Sequence, residues 1–148
     1  MGLDAVVYRS KANLPFDADA VGAVLDESTG EYYFPDPAVE PVREREFPQQ
    51  TRIAVEKRIG NIATVTALRH AAERVLNGDS ILLSKVLYSG THSGNSIPLS
   101  LISQVQEELT VLRRYAENNA DKALMQFVAD LQELAAAASS QSNPIVFV

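Results

Sequence analysis

The segment Tyr88-Ser89-Gly90-Thr91-His92-Ser93-Gly94-Asn95-Ser96 gathers the side chains best suited to chemistry: two glycines, four Ser and Thr hydroxyls, a tyrosine and one of the two histidines in the chain. Glycine lets backbone amides come close to an anion, while Ser, Thr and His add hydrogen bonds or proton transfer. The composition predicts a phosphate or carboxylate site made by Tyr88, Gly90, Thr91, His92, Gly94 and Asn95. In a hydrolase His92 would be the base and Ser89 or Ser93 the hydroxyl. Spacing limits the choice. No lysine follows Gly94 as a Walker loop requires, and His92 stands at the centre of Gly90-Thr91-His92-Ser93-Gly94 where a nucleophile elbow has serine. The competing reading is an ordered turn whose hydroxyls and imidazole satisfy the local backbone.

Other chemistries are thinly represented. The absence of cysteine removes disulfides, a thiol nucleophile and every thiolate metal site. With only two histidines a metal site would be carboxylate-dominated, and Asp17-Ala18-Asp19-Ala20-Val21 lacks the third ligand and the glycine of a calcium loop. No metal and no cofactor are expected. His70 falls about 200° around a helix from Leu68, on the wet side.

Charge points to a different function. Residues 1–50 hold ten of the 19 acidic side chains and four of the 13 basic ones, so the whole net charge of −6 sits there and the remainder is neutral. Nucleic acid and anionic membranes would be repelled by such a front end; a basic protein would not. Within it, Tyr32, Tyr33 and Phe34 neighbour Asp26, Glu27, Glu31 and Asp36. Strand alternation sets Tyr33 on one face and Tyr32 with Phe34 on the other, leaving an aromatic near water and rimmed by acids. Asp26, Glu27, Glu31, Tyr32, Tyr33 and Asp36 are therefore expected to bind a partner. The alternatives are rings that cover the helices and acids that only keep the chain soluble.

The elements that must position these groups follow from periodicity. Leu3-Asp4-Ala5-Val6-Val7-Tyr8-Arg9 reads as a strand whose mate is the last strand, and Ala23-Val24-Leu25 with Glu31-Tyr32-Tyr33-Phe34 reads as a hairpin closed by Gly30. Pro35, Pro37, Pro41 and Pro48 forbid a long helix or central strand between them. Ile62, Val65, Leu68, Ala72, Val75 and Leu76 mark an amphipathic helix over 61–76, stopped by a left-handed cap at Asn77-Gly78. Residues 81–87 form a short helix or a buried strand. Leu101, Ile102, Val105, Leu109, Leu112 and Tyr115 mark a long helix begun at Pro98 or Ser100, with Glu107, Glu108, Arg113 and Arg114 outside its stripe. Asn118-Asn119 breaks it, and Asp121 caps a further helix bearing Leu124, Phe127, Val128, Leu131 and Leu134. Residues 139–143 read as a linker and 144–148 as a final strand that pairs within the sheet.

Residues 1–148 are thus expected to form one α+β domain. Its small, mostly antiparallel sheet, made of the N-terminal strand, the hairpin and the C-terminal strand, packs against three or four helices. The start Met1-Gly2-Leu3-Asp4 lacks the basic stretch and long apolar run expected of a secretory signal, Gly2 lacks the hydroxyl context of myristoylation, and no apolar run approaches the roughly 18 residues of a membrane span. A cytoplasmic address is expected.

The run Leu83-Ser84-Lys85-Val86-Leu87-Tyr88-Ser89-Gly90-Thr91-His92-Ser93-Gly94, with Gly2-Leu3-Asp4-Ala5-Val6-Val7-Tyr8, resembles small uncharacterised bacterial proteins of no assigned activity. It covers about a third of the chain and implies no functional residue. That pattern has an acidic residue where Asn95 stands, a departure that argues against metal or catalytic use there. The favoured expectation is a non-catalytic module that binds a basic protein through its acidic front end, as immunity proteins and antitoxins do. An anion- or small-molecule-binding domain, a hydrolase included, is the second, and a homo-oligomer joined through helices or the last strand the third.

Overall fold

In a computed structural model of the chain, residues 2–88, 92 and 95–148 are described. Strand β1 (Gly2–Tyr8) is followed by a 3-10 turn at Lys11–Asn13 and the four-residue helix α1 (Ala18–Val21). β2 (Val24–Leu25) and β3 (Tyr32–Tyr33) form the hairpin, and α2 (Glu40–Glu46) occupies the proline-rich stretch with Pro41 in its first turn. A 3-10 turn at Gln49–Arg52 leads into β4 (Ile53–Asn61) and α3 (Ile62–Ala72). Beyond these lie a π-helical turn at Leu82–Val86, β5 (Ser96–Ile97), α4 (Ile102–Asn118), α5 (Lys122–Gln141) and β6 (Ile145–Phe147).

The main sheet has the order β4-β1-β6-β5, every neighbouring pair antiparallel. The α+β class stands, and β6 pairs with β1 as its apolar composition requires, Val6 facing Val146. The hairpin does not join this sheet but forms a separate two-stranded one, with Val24 opposite Tyr33 and Leu25 opposite Tyr32. Its place beside β1 is taken by β4, a strand that alternation does not reveal. Glu56 and Arg58 stand on its wet side, while Lys57 faces α5 and binds Glu133 at 2.7 Å. That carboxylate holds the Lys57 ammonium above its usual range.

One face of the sheet, through Leu3, Ala5, Val7, Ile59, Ile145 and Phe147, shares a core with Val65 and Leu68 of α3, Leu109 and Leu112 of α4, and Leu131 and Leu134 of α5. Burial of these side chains drives the fold, each Val, Leu, Ile and Phe contributing roughly 1.5–3 kcal/mol. On the other face Val6, Tyr8 and Val146 are buried with Ile53. α4 and α5 are joined by a short turn in which Ala120 takes a positive φ, and Asp121 caps α5 through the Leu124 amide.

Four local expectations give way. α3 ends without a left-handed residue at Asn77 or Gly78; its last turn tightens instead, Val75 and Leu76 both donating to the Ala72 carbonyl. Ile62, at the first position of α3, is 75% exposed rather than core, and Val75 lies at the surface beyond its end. Residues 139–141 belong to α5, and its left-handed cap is Ser142. Glu108 is buried, not outside the α4 stripe. Among the described residues no helix is long and apolar enough to cross a membrane.

Candidate functional site

The glycine- and hydroxyl-rich loop is described at Tyr88, His92 and Asn95; Ser89, Gly90, Thr91, Ser93 and Gly94 lie outside the described residues. His92 Nε2 is 2.8 Å from the Val86 carbonyl at the end of the π-helical turn. A carbonyl only accepts, so Nε2 carries the hydrogen. The imidazole stacks on Tyr88 at 4.1 Å and meets the edge of Phe147 at 6.0 Å. Asn95 Nδ2 donates to the Tyr88 hydroxyl, and the Asn95 carbonyl accepts from the Phe147 amide at 2.9 Å. These contacts tie the loop to β6 and engage one nitrogen of the imidazole proposed as a base. Among the described residues no group of three or more His, Asp or Glu side chains is placed to hold a metal ion.

Residues 10–52 form a second constellation beside the sheet. Phe16 packs on Phe34 at 5.9 Å and on Phe47 at 4.6 Å, building a small apolar centre with Ala18 and Ala23. Asp17 caps α1, and the Asp19 carboxylate binds Lys11 at 2.7 Å, holding that ammonium above its ordinary range. Gly30, with φ 79°, brings the hairpin turn against Asn143, where any Cβ would collide with the Asn143 side chain. Asn143 in turn donates to the Tyr8 carbonyl at 2.8 Å, and Gln141 accepts from Ser10 and Asn13. The front segment is thereby fastened to the C-terminal end of α5.

Its strongest fastening is Arg52, 3% exposed. The guanidinium donates to Glu44 at 3.0 Å, to the Phe47 carbonyl at 2.9 Å and to Glu31 at 3.4 Å, and lies over the Phe34 ring at 5.4 Å. Glu31, predicted to face a partner, therefore serves the interior. Burial, with the Glu31 carboxylate second, pushes the Tyr8 phenol from 10.0 up to about 12. The neutral phenol is favoured in the folded state, so its contribution is intact below pH 10 and lost as pH rises toward 12. Between pH 10 and 12 the wild-type chain should lose roughly 2 kcal/mol more than Tyr8→Phe in urea melts, because Lys11 and Lys57 titrate alike in both chains. Parallel losses in both chains would refute the assignment.

Of the remaining predicted partner residues, Glu27, Tyr33 and Asp36 are exposed and Asp26 is half-buried. Tyr33 is 42% exposed beside its cross-strand neighbour Val24, while Tyr32 packs inward on the Phe34 cluster. Asp26 accepts from the Ser28 hydroxyl, which lowers its pKa, and Asp36 accepts from the Ala38 amide. Glu27 and Glu40 have no cationic partner among the described residues. Sequence patterning missed Val24, Leu25, Val39 and Val42, all at least 40% exposed on the same segment. The i, i+3 spacing of Val39 and Val42 across Pro41 was the available signal. No known family model, curated protein or solved structure matches the chain.

Proposed function

We propose that the chain is a non-catalytic binding module whose residues 17–47 dock on a protein surface that is both basic and apolar. The observation that carries this is the placement of exposed apolar side chains. Val24, Leu25, Tyr33, Val39 and Val42 are half of the ten large hydrophobics left exposed among the described residues, and they fall within one 19-residue stretch. The same segment holds nine acidic and two basic residues, a net charge of −7. Scattered apolar exposure is ordinary on a protein surface; concentration on one acid-rimmed segment is the composition of an interface. Fastening by Arg52, Gly30 and Gln141 keeps the face pre-formed, which lowers the ordering cost of association.

Affinity capture from lysate with the wild-type chain and with a Glu27→Lys/Glu40→Lys chain tests the reading. The double variant and, separately, Tyr33→Ala are expected to lower captured partner at least tenfold, the charge effect shrinking as salt rises. Glu107→Lys, on the exposed side of α4, should leave capture intact. Identical profiles for all chains, an empty one included, remove the proposal.

A further inference from the structure

At the far end of the molecule Tyr115 lines both stretches of a shallow surface groove, one of 430 Å³ between α3 and the α4–α5 turn and one of 260 Å³ between Val75 and α4. Its apolar walls include Val75 and Val111, 37% and 46% exposed. Arg74 lines one stretch and Arg114 the other. Both are exposed and neither has an acidic partner among the described residues, because the neighbouring Glu73 and Glu117 are taken by Arg69 at 2.7 Å and Arg113 at 3.0 Å. Asp121, at the rim, is occupied in capping α5. Among the described residues the smaller stretch is thus apolar with the unpaired Arg114, and the larger is polar with Arg74, which makes no ion pair; together they complement the front segment with its apolar side chains and unpaired Glu27 and Glu40.

One chain cannot bring its own two surfaces together. The front segment is held at the C-terminal end of α5 through Gln141, and Asp121 stands at the other end. The 20 residues of α5 separate the two by about 30 Å. We propose that the partner of the front segment is a second copy of this chain, received head to tail in the Tyr115 groove. The proposal rests on the binding role of residues 17–47 and names their partner. Each copy then offers a free front at one end and a free groove at the other, so assembly is heterologous and either closes as a ring or continues as a filament.

Sedimentation velocity and light scattering on the purified 148-residue chain test it. At low salt the wild-type mass should climb above 16.1 kDa with concentration and fall back as salt screens the interface. Glu27→Lys/Glu40→Lys and Arg74→Glu/Arg114→Glu should each be monomeric with a wild-type circular dichroism melt, since all four positions are exposed. An equimolar mixture of the two reversed chains should associate again, because each reversed surface meets its opposite. A wild-type chain monomeric at millimolar concentration overturns the proposal, as does association that either double reversal leaves unchanged or that mixing does not restore. A monomeric wild-type chain that still captures a lysate partner through Glu27 and Glu40 removes only self-association. A chain that associates regardless of Glu27 and Glu40, and whose capture is equally indifferent to them, removes the front segment from both readings.

Discussion

Arg52→Met should lower the stability of the chain by roughly 2–4 kcal/mol, with the damage centred on residues 10–52. Removing one member of a buried ion pair costs about 3–5 kcal/mol because the remaining charge is stranded. Here the stranded Glu31 and Glu44 side chains are 20% and 35% exposed, so water offsets part of that penalty. The Phe47 carbonyl also loses its donor and the Phe34 ring its cation. Arg52→Lys should rescue little, since one ammonium cannot match a planar fork that spans two carboxylates and a carbonyl. The main core includes none of these groups. Limited proteolysis should therefore cut first between residues 35 and 48 while the sheet and long helices resist, and urea melts should record the loss. A variant within about 0.5 kcal/mol of wild type, with unchanged cleavage, would show that the cluster does not hold the front segment.

What could be read from the residues depended on how much local pattern each element carries. α4 and α5 show an apolar stripe for several turns, and their limits in sequence and structure differ by few residues at the ends that matter. β4 shows no such stripe. Ladder irregularities fall at Leu3/Asp4 and Val7/Tyr8, and Lys57 points inward only because α5 supplies carboxylates from residues 130 and 133. Register of that kind is set by β1, 45 to 59 residues away, and the facing of Lys57 by α5, more than 70 away, which no window of local periodicity samples. The hairpin was legible from Gly30 and the flanking β-branched and aromatic residues, but whether it joins the main sheet is a tertiary matter. So is the role of Glu31, whose partner Arg52 lies 21 residues away beyond the prolines. The acidic front end was visible as a count. The exposed valines that give it an interface character were not, because four prolines argue against a helix there and so hide the meaning of the i, i+3 spacing of Val39 and Val42.

Glu108 illustrates the same limit with the larger consequence. From α4 it takes the amide hydrogens of Ile81 at 2.9 Å and Leu82 at 3.1 Å and the hydroxyl of Ser80, whose own oxygen accepts from Leu83 at 3.1 Å. A carboxylate from another helix thus caps the turn at Leu82–Val86, doing what a local Ser or Asp does at most helix starts. Glu108→Ala strands two amides and a hydroxyl in a site where Ser80 is 3% exposed. A loss of about 3 kcal/mol is expected, since each buried donor without an acceptor costs roughly 1–3 kcal/mol. Glu108→Gln keeps one acceptor oxygen but turns an NH2 toward donors, and should lose about half as much. The effect should travel along the turn. The Val86 carbonyl that receives His92 Nε2 belongs to it, so Glu108→Ala should speed amide exchange at Leu83 and Leu87 and move the His92 ring resonances. Equal stability together with unmoved His92 signals would mean that water replaces the carboxylate and that the loop is held from β6 alone.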